Sequence, residues 1–240
     1  MRRKTRNFNL GNIGIGSDSP ISVQSMTKTD TRDIDKTVNQ INELELAGCD
    51  IIRCAVPNID AAMALKQIIK KTNIPVVADI HFEYTLALEA IKSGIHGLRI
   101  NPGNIGQRKR IVTVVNAAKD AGIPIRIGVN SGSLEKDILQ KHGSPTPDAL
   151  VESAERHLGI LDELNFTNVK VSVKSANVNI MKESYRKLAK ITDVPFHLGV
   201  TEAGTFEIGS IKSSIGIGGL ISDGVGDTIR VSLTDDPVKE

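Results

Sequence analysis

From residue 20 onward, short runs of alternating apolar and polar residues take turns with longer stretches whose apolar positions recur every three or four residues. The alternating runs predict eight strands: ISVQSMT (21–27), DIIRCAVP (50–57), PVVADIHF (75–82), GLRINPG (97–103), IPIRIGVN (123–130), VKVSVKS (169–175), FHLGVTE (196–202) and TIRVSLT (228–234). The longer stretches predict helices, as in IDAAMALKQIIKKT, where Ala61, Ala64, Leu65 and Ile68 share a face. Gly48, Gly94 and Gly122 follow such helices, where a left-handed terminal residue suits glycine. Asn58 or Asp60, and Ser153, are placed to cap or begin others. Eight strands, the first seven each followed by a helix, predict a parallel sheet closed into a (β/α)8 TIM barrel. An open doubly wound sheet fits less well, because it begins with a glycine-rich fingerprint after its first strand. Here that position reads SMTKTDTRD. The leading NFNLGNIGIGSDSP alternates about a central glycine and predicts an N-terminal β-hairpin under the barrel, giving a hairpin over 1–19 and a single barrel domain over 20–240.

Alternate residues of a barrel strand face the helices and the lumen. The outward set is apolar: Ile21, Val23, Ile52, Val56, Ala78, Ile80, Leu98, Ile100, Ile125, Ile127, Val129, Val171, Val173, Phe196, Leu198, Val200, Ile229, Val231 and Leu233. The inward set is polar and becomes more so toward the strand C-termini, with Gln24, Arg53, Asp79, His81, Arg99, Asn101, Arg126, Asn130, Ser172, Lys174, His197, Thr201, Arg230 and Ser232. A barrel built for stability alone fills its lumen with branched apolar side chains. Five lumen cations (Arg53, Arg99, Arg126, Lys174 and Arg230) face few inner acids, namely Asp79 and at most Glu202 or Asp227. Unbalanced buried cations are costly, so a multiply charged anion is the ligand this pattern asks for. Arginine at four of the five positions suits forked recognition of phosphate or carboxylate oxygens. Gly216, Gly218, Gly219, Gly224 and Gly226 precede the last strand and predict close backbone approach to that anion.

Composition narrows the ligand further. The net charge is +2 and aromatics make up 3% of the chain without a tryptophan, which argues against a nucleic-acid surface. No apolar span long enough for a membrane occurs, and the basic N-terminus lacks a signal-peptide core. Cys49 and Cys54 are too few for a disulfide scaffold, which predicts a cytoplasmic location and no metal site in this chain.

The motifs PISVQSMTKTDTRD, RCAVP, VADIHF, LRINPGNIG, RIGVNSGSL, VSVKS, HLGVTEAG and GVGDTIRVSLT, in that order, resemble the 4-hydroxy-3-methylbut-2-enyl diphosphate synthases over essentially the whole chain. That resemblance implies an oxidoreductase of non-mevalonate isoprenoid biosynthesis that opens the ring of 2-C-methyl-D-erythritol 2,4-cyclodiphosphate and reductively removes a hydroxyl. It assigns Arg53, Arg99, Arg126, Asn130, Lys174, Arg230 and Ser232 to the diphosphate. It places Glu202 near the reacting carbon as acid or proton donor, with Asp79 and His81 in the same catalytic pocket. It also implies a homodimer, a ferredoxin or flavodoxin as electron donor, and a [4Fe–4S] cluster on a separate C-terminal domain. Three cysteines and a glutamate hold that cluster in the family, and this chain has no such set. The resemblance therefore describes the substrate-binding barrel without its electron source, expected to bind no cluster and to be inactive alone. Two other readings stand beside it: a stand-alone phosphate-binding barrel without catalysis, and a pterin-binding transferase of the dihydropteroate synthase type, which VQSMT also resembles.

Overall fold

Fully buried Ile and Val side chains on the outward faces of the strands are what hold the chain together, each worth about 1.5–3 kcal/mol when removed from water. Ile52, Ile80, Ile100, Ile127 and Val171 pack there against Ile41, Leu65, Val114 and Leu161 of the surrounding helices. The computed structural model describes residues 1–240, the side chain of Pro102 apart.

A two-stranded hairpin, β1 (Phe8–Leu10) and β2 (Ile13–Ile15), comes first. The barrel strands follow as β3 (Ser22–Met26), β4 (Ile51–Ala55), β5 (Val76–Asp79), β6 (Gly97–Ile100), β7 (Ile125–Asn130), β8 (Val169–Lys174), β9 (His197–Leu198) and β10 (Thr228–Ile229). Between them lie α1 (Ile34–Leu46), α2 (Ile59–Lys70), α3 (Tyr84–Lys92), α4 (Pro102–Ile105) and α5 (Arg108–Asp120). The second half carries α6 (Lys136–His142), α7 (Pro147–Glu163), α8 (Val178–Leu188), α9 (Phe206–Ser213) and α10 (Gly219–Ser222). Asn58 caps α2 by accepting from Ala61 N, and Gly48, Gly94 and Gly122 adopt φ of 96°, 87° and 67° as the helix-ending pattern predicts. Ser153 is no cap; it lies inside α7, which Thr146 caps.

All eight barrel strands pair in parallel in the order β8-β7-β6-β5-β4-β3-β10-β9. The ring closes through one bridge, Val171 to Phe196, with Val171 N donating to Pro195 O at 3.0 Å. The buried Tyr185 hydroxyl spans the same seam, accepting from Val173 N and donating to His197 O.

The hairpin closes the N-terminal end. Phe8, Leu10 and Ile15 meet the inward-facing Ile51 and Val77 in a separate apolar cluster that plugs the barrel floor. Gly11, at φ 60°, makes the hairpin turn, and a Cβ there would sit 2.9 Å from the Pro75 ring. Arg2 ties this end to the last strand by an ion pair to Asp227 at 2.8 Å, and Arg3 lies 3.9 Å over the Phe196 ring.

Two strand expectations change. Regular pairing of the last two strands is confined to 197–198 and 228–229, shorter than 196–202 and 228–234. Beyond Ile229 the backbone turns from β3 to other partners, with Leu233 N bonding Glu240 and Thr234 N bonding Gly204 O. The outer face of β3 and β10 is also less covered than the rest, and Val23 is 39% exposed. A groove there is bordered by the end of α1 (Leu44, Ala47) and by a short 3-10 turn at Pro237–Lys239.

Candidate anion-binding site at the barrel mouth

Strand register sets the site. It places Met26 beside Arg53, Asp79 beside Arg99, and Arg99 beside Arg126, so neighbouring strands present these side chains to the lumen side by side. Arg53, Arg99, Arg126, Asn130, Lys174, Arg230 and Ser232 all line one cavity at the C-terminal mouth, together with Ser172 and Thr201. Two glycines that the sequence did not single out make room for them. A Cβ on Gly128 would lie 2.9 Å from Arg99 Nε, and one on Gly199 would lie 2.6 Å from Lys174 Nζ and 2.7 Å from Arg230 O. Gly128 lies in β7 and Gly199 directly follows β9, and at either position a side chain would fill the space the cations use.

The cations divide by partner. Asp79 Oδ1 accepts from Arg99 Nη1 at 3.0 Å, while its Oδ2 lies 3.3 Å from Arg53 Nε as an ion pair without hydrogen-bond alignment. Burial alone would raise the Asp79 carboxyl, but the Arg53 charge, the His81 hydrogen bond and the Arg99 charge hold it far below the usual carboxylate range. Burial lowers the Arg53 guanidinium to about 10 despite Asp79. Arg230 pairs with Glu240 at 3.2 Å. Among the described residues no acid lies within ion-pair distance of Arg126 or Lys174. Arg126 has one protein bond, from Nη1 to Ser172 Oγ at 3.2 Å. Burial, followed by the charges of Arg126, Arg230, Arg53 and Arg99, drives the Lys174 ammonium well below its ordinary value. The Nε groups of Arg53, Arg99, Arg126 and Arg230 are all buried without an acceptor.

A further cation lies deeper. Lys170, two strand positions below Ser172, is buried with its Nζ 3.3 Å from Thr228 Oγ1. The alternation of VKVSVKS points it inward as surely as Lys174, below the mouth residues that the resemblance assigns to the ligand. Nearby His197 is fully buried with neither ring nitrogen bonded, and Gln24 has both amide atoms unpartnered. Burial and the Arg126 charge lower the Lys170 ammonium to about 7, with Asp227 offsetting part of the shift. An unfolded lysine titrates near 10.4, so the unfolded chain binds more protons between about pH 7 and pH 10, and stability rises with pH across that window. The contribution is complete above the unfolded value and lost as pH falls through the folded one. Lys170→Met is expected to be more stable than the parent at pH 7, by about 1–4 kcal/mol, and to flatten the rise toward pH 10. Urea melts at several pH values check this; equal stability of both proteins at every pH would show that Lys170 releases no proton on folding.

Asp79, His81 and Glu202, catalytic by resemblance, are not among the residues that line the cavity. Asp79 lies beneath Arg53 and Arg99, and His81 is half-exposed with Nε2 3.5 Å from Asp79 Oδ2 and Nδ1 3.3 Å from Arg99 Nη1. Glu202 is exposed on the loop after β9 with a left-handed φ of 50°, one of two non-glycine residues in that region among those described. Such a backbone costs of order 1–3 kcal/mol and persists where surrounding structure imposes it.

Three sequence expectations are corrected. Glu202 and Asp227 pair with none of the five cations at the mouth: Glu202 faces solvent, and Asp227 lies at the opposite end of the barrel, bonded to Arg2, Thr5 and Phe196 N. The glycines before the last strand do not reach the cavity. Gly216, Gly218 and Gly219 lie in the helical turns over 214–222, and Gly224 and Gly226 turn the chain at the N-terminal end, against Met1 and Leu198. Arg230 is not free of acidic partners, because the tail returns Glu240 to it.

The two cysteines do not fit an iron–sulfur cluster, which binds thiolates. Burial pushes the Cys54 thiol up to about 11, and Cys49 is raised by burial while its Sγ donates to Ile51 O at 3.1 Å. No group of three metal-ligating side chains occurs among the described residues, and no helix is long and apolar enough to cross a membrane.

Comparison with known proteins separates the remaining readings. The sequence matches the GcpE TIM-barrel domain over residues 5–240. It is 60% identical over 239 residues to 4-hydroxy-3-methylbut-2-en-1-yl diphosphate synthase (flavodoxin) of Clostridium perfringens, covering all of this chain and 68% of that protein. The Lawsonia intracellularis protein of the same name is 58% identical over 240 residues, all of this chain and 67% of its own length. A solved dihydropteroate synthase from Xanthomonas albilineans superposes with a TM-score of 0.64 over 97% of this chain and 94% of that one, at 10% identity. That likeness is one of fold alone, whereas the identity to the synthases spans every strand that carries the cavity. This chain therefore belongs to the GcpE family, matching the TIM-barrel domain of the 4-hydroxy-3-methylbut-2-en-1-yl diphosphate synthases.

Proposed function

We propose that this barrel grips the two phosphates of 2-C-methyl-D-erythritol 2,4-cyclodiphosphate, as the substrate-binding part of the reductase that opens that ring to give 4-hydroxy-3-methylbut-2-enyl diphosphate. One observation carries the reading: four buried arginine Nε groups lack an acceptor around a single cavity that Lys174 also lines. Phosphate oxygens supply those acceptors in the geometry a guanidinium fork meets best, and their charge balances Arg126 and Lys174. Asn130 and Ser232 add uncharged polar contacts at the wall. Asp79 holds Arg53 and Arg99 in place from below and orients His81 at the rim. Glu202, on its left-handed backbone at the mouth, is the proton donor in this proposal. The overall change needs a proton: the cyclic dianion, two electrons and one proton give the open diphosphate trianion and water.

The relatives' name specifies flavodoxin, and a flavodoxin as the electron source is carried to this protein on that ground. Assembly as a homodimer, a cytoplasmic location and an iron–sulfur domain outside the matched residues belong to the same proposal and rest on the family resemblance. The test is calorimetric titration of this chain with the cyclic diphosphate. Saturable binding that inorganic pyrophosphate competes away and that weakens with salt is expected. Absence of binding, or binding that pyrophosphate leaves unchanged, would sink the reading.

A further inference from the structure

Arg230 differs from the other cavity arginines in where its counter-charge comes from. After β10 the chain leaves the sheet, and the turn at Pro237–Lys239, capped by Asp236 accepting from Val238 N, brings it back. The Glu240 side chain, 1% exposed, ends up wedged behind Arg230. Its Oε2 accepts from Arg230 Nη2 at 3.2 Å, and its Oε1 accepts from Leu233 N at 3.0 Å and lies 3.3 Å from Lys28 Nζ. Lys28 Nζ in turn donates to Leu233 O at 3.0 Å, so the loop after β3, the segment after β10 and the tail share one polar knot. One nitrogen of Arg230 is thus held by Glu240, while its Nε is buried without an acceptor and the residue lines the cavity.

We propose that Glu240 is a positioning residue for the anion site, clamping Arg230 so that its guanidinium stands ready at the cavity wall. The inference rests on reading the cavity as the diphosphate site. An arginine side chain loses considerable rotamer freedom when it grips a ligand, and a clamp that orders it beforehand removes that cost from binding. The clamp also supplies a counter-charge that keeps Arg230 compatible with burial while the site is empty.

The sign of the effect separates positioning from simple electrostatics. A carboxylate near an anion site repels the anion, so field alone predicts tighter binding when Glu240 is removed. Positioning predicts the reverse. Inorganic pyrophosphate is titrated calorimetrically into the parent chain, Glu240→Ala, Glu240→Gln, Arg230→Ala and the double variant Arg230→Ala/Glu240→Ala. Contacting residues couple strongly, so Glu240→Ala is expected to weaken binding about three- to tenfold in the parent and by less than about twofold once Arg230 is gone. Glu240→Gln keeps an acceptor toward Arg230 and recovers part of the loss. If the parent binds and Arg230→Ala weakens it, unchanged or tighter binding by Glu240→Ala overturns the inference and leaves the diphosphate reading standing. An equal loss with and without Arg230 overturns it too, since the tail would then act by general loosening. A parent that does not bind pyrophosphate overturns the diphosphate reading and this inference with it.

Discussion

Lys174→Ala and Arg126→Ala are each expected to weaken pyrophosphate binding by about ten- to a hundredfold, the value of one charge-assisted contact of roughly 1.5–3 kcal/mol. The same substitutions are expected to leave the empty barrel as stable as the parent or more so. Both expectations follow from the absence of an acid within ion-pair distance of either residue among those described. A buried charge without a counter-charge disfavours the folded state until a ligand arrives, so its removal relieves the empty protein and penalises the complex. Lys174→Arg fails to restore full affinity, because the larger head meets the wall where a Cβ on Gly199 would already lie 2.6 Å from Lys174 Nζ. Titration calorimetry and thermal melts on the same samples read both halves. A variant that binds as tightly as the parent, or that unfolds when empty, would return these residues to a structural role.

Asp79→Asn is expected to have the opposite signature, a loss of about 3–5 kcal/mol of stability, because it leaves Arg53 and Arg99 buried around a neutral amide. The pH dependence carries a sign. The Asp79 carboxyl is held far below its ordinary value, so on acidification the unfolded chain takes up its proton first. The stabilisation is complete above about pH 4, near where an unperturbed aspartate titrates, and is lost progressively below it. Asp79→Asn therefore flattens the acid limb of the stability profile as well as lowering its plateau. Denaturant melts between pH 3 and pH 7 test this, and an Asn variant as stable as the parent at pH 7 would mean that the two arginines do not depend on the aspartate.

The division between what the sequence showed and what it hid is physical. Period-two alternation is a local property, so the lumen-facing row Arg53, Asp79, Arg99, Arg126, Lys174 and Arg230 was legible without coordinates, as were the glycine caps at 48, 94 and 122. Lys170, Gly128 and Gly199 share that parity but were not among the expected site residues; alternation does not report depth along the barrel, which decides that Lys170 is sealed in while Lys174 lines the cavity. Glu240 was out of reach for a different reason. Its contact with Arg230 depends on how the tail turns after the last strand, and no spacing rule links the two. The glycine-rich stretch before the last strand misled because a helix C-terminus and a phosphate loop ask for the same residue, and only the fold tells which end of the barrel the turn occupies.

The way the ring closes bears on how the protein is made. Arg2 meets Asp227 across 225 positions and Ser22 meets Thr228 across 206, so both the floor and the last seam wait for the final barrel strand to be synthesised. A chain emerging from the ribosome can pair β3 with β4 and each later strand with its predecessor, but β3 keeps an open edge until β10 has been translated. Closure then carries the entropy cost of a loop that spans the barrel sequence from β3 to β10, the slow kind of contact in folding. During that interval a parallel edge with a polar inner face and a half-covered Val23 outside is open to pairing with a neighbouring nascent chain. Protection from misassembly thus begins when Thr228 and Ile229 pair with β3 and β9, and Arg230, the next residue, joins the cradle at the same step.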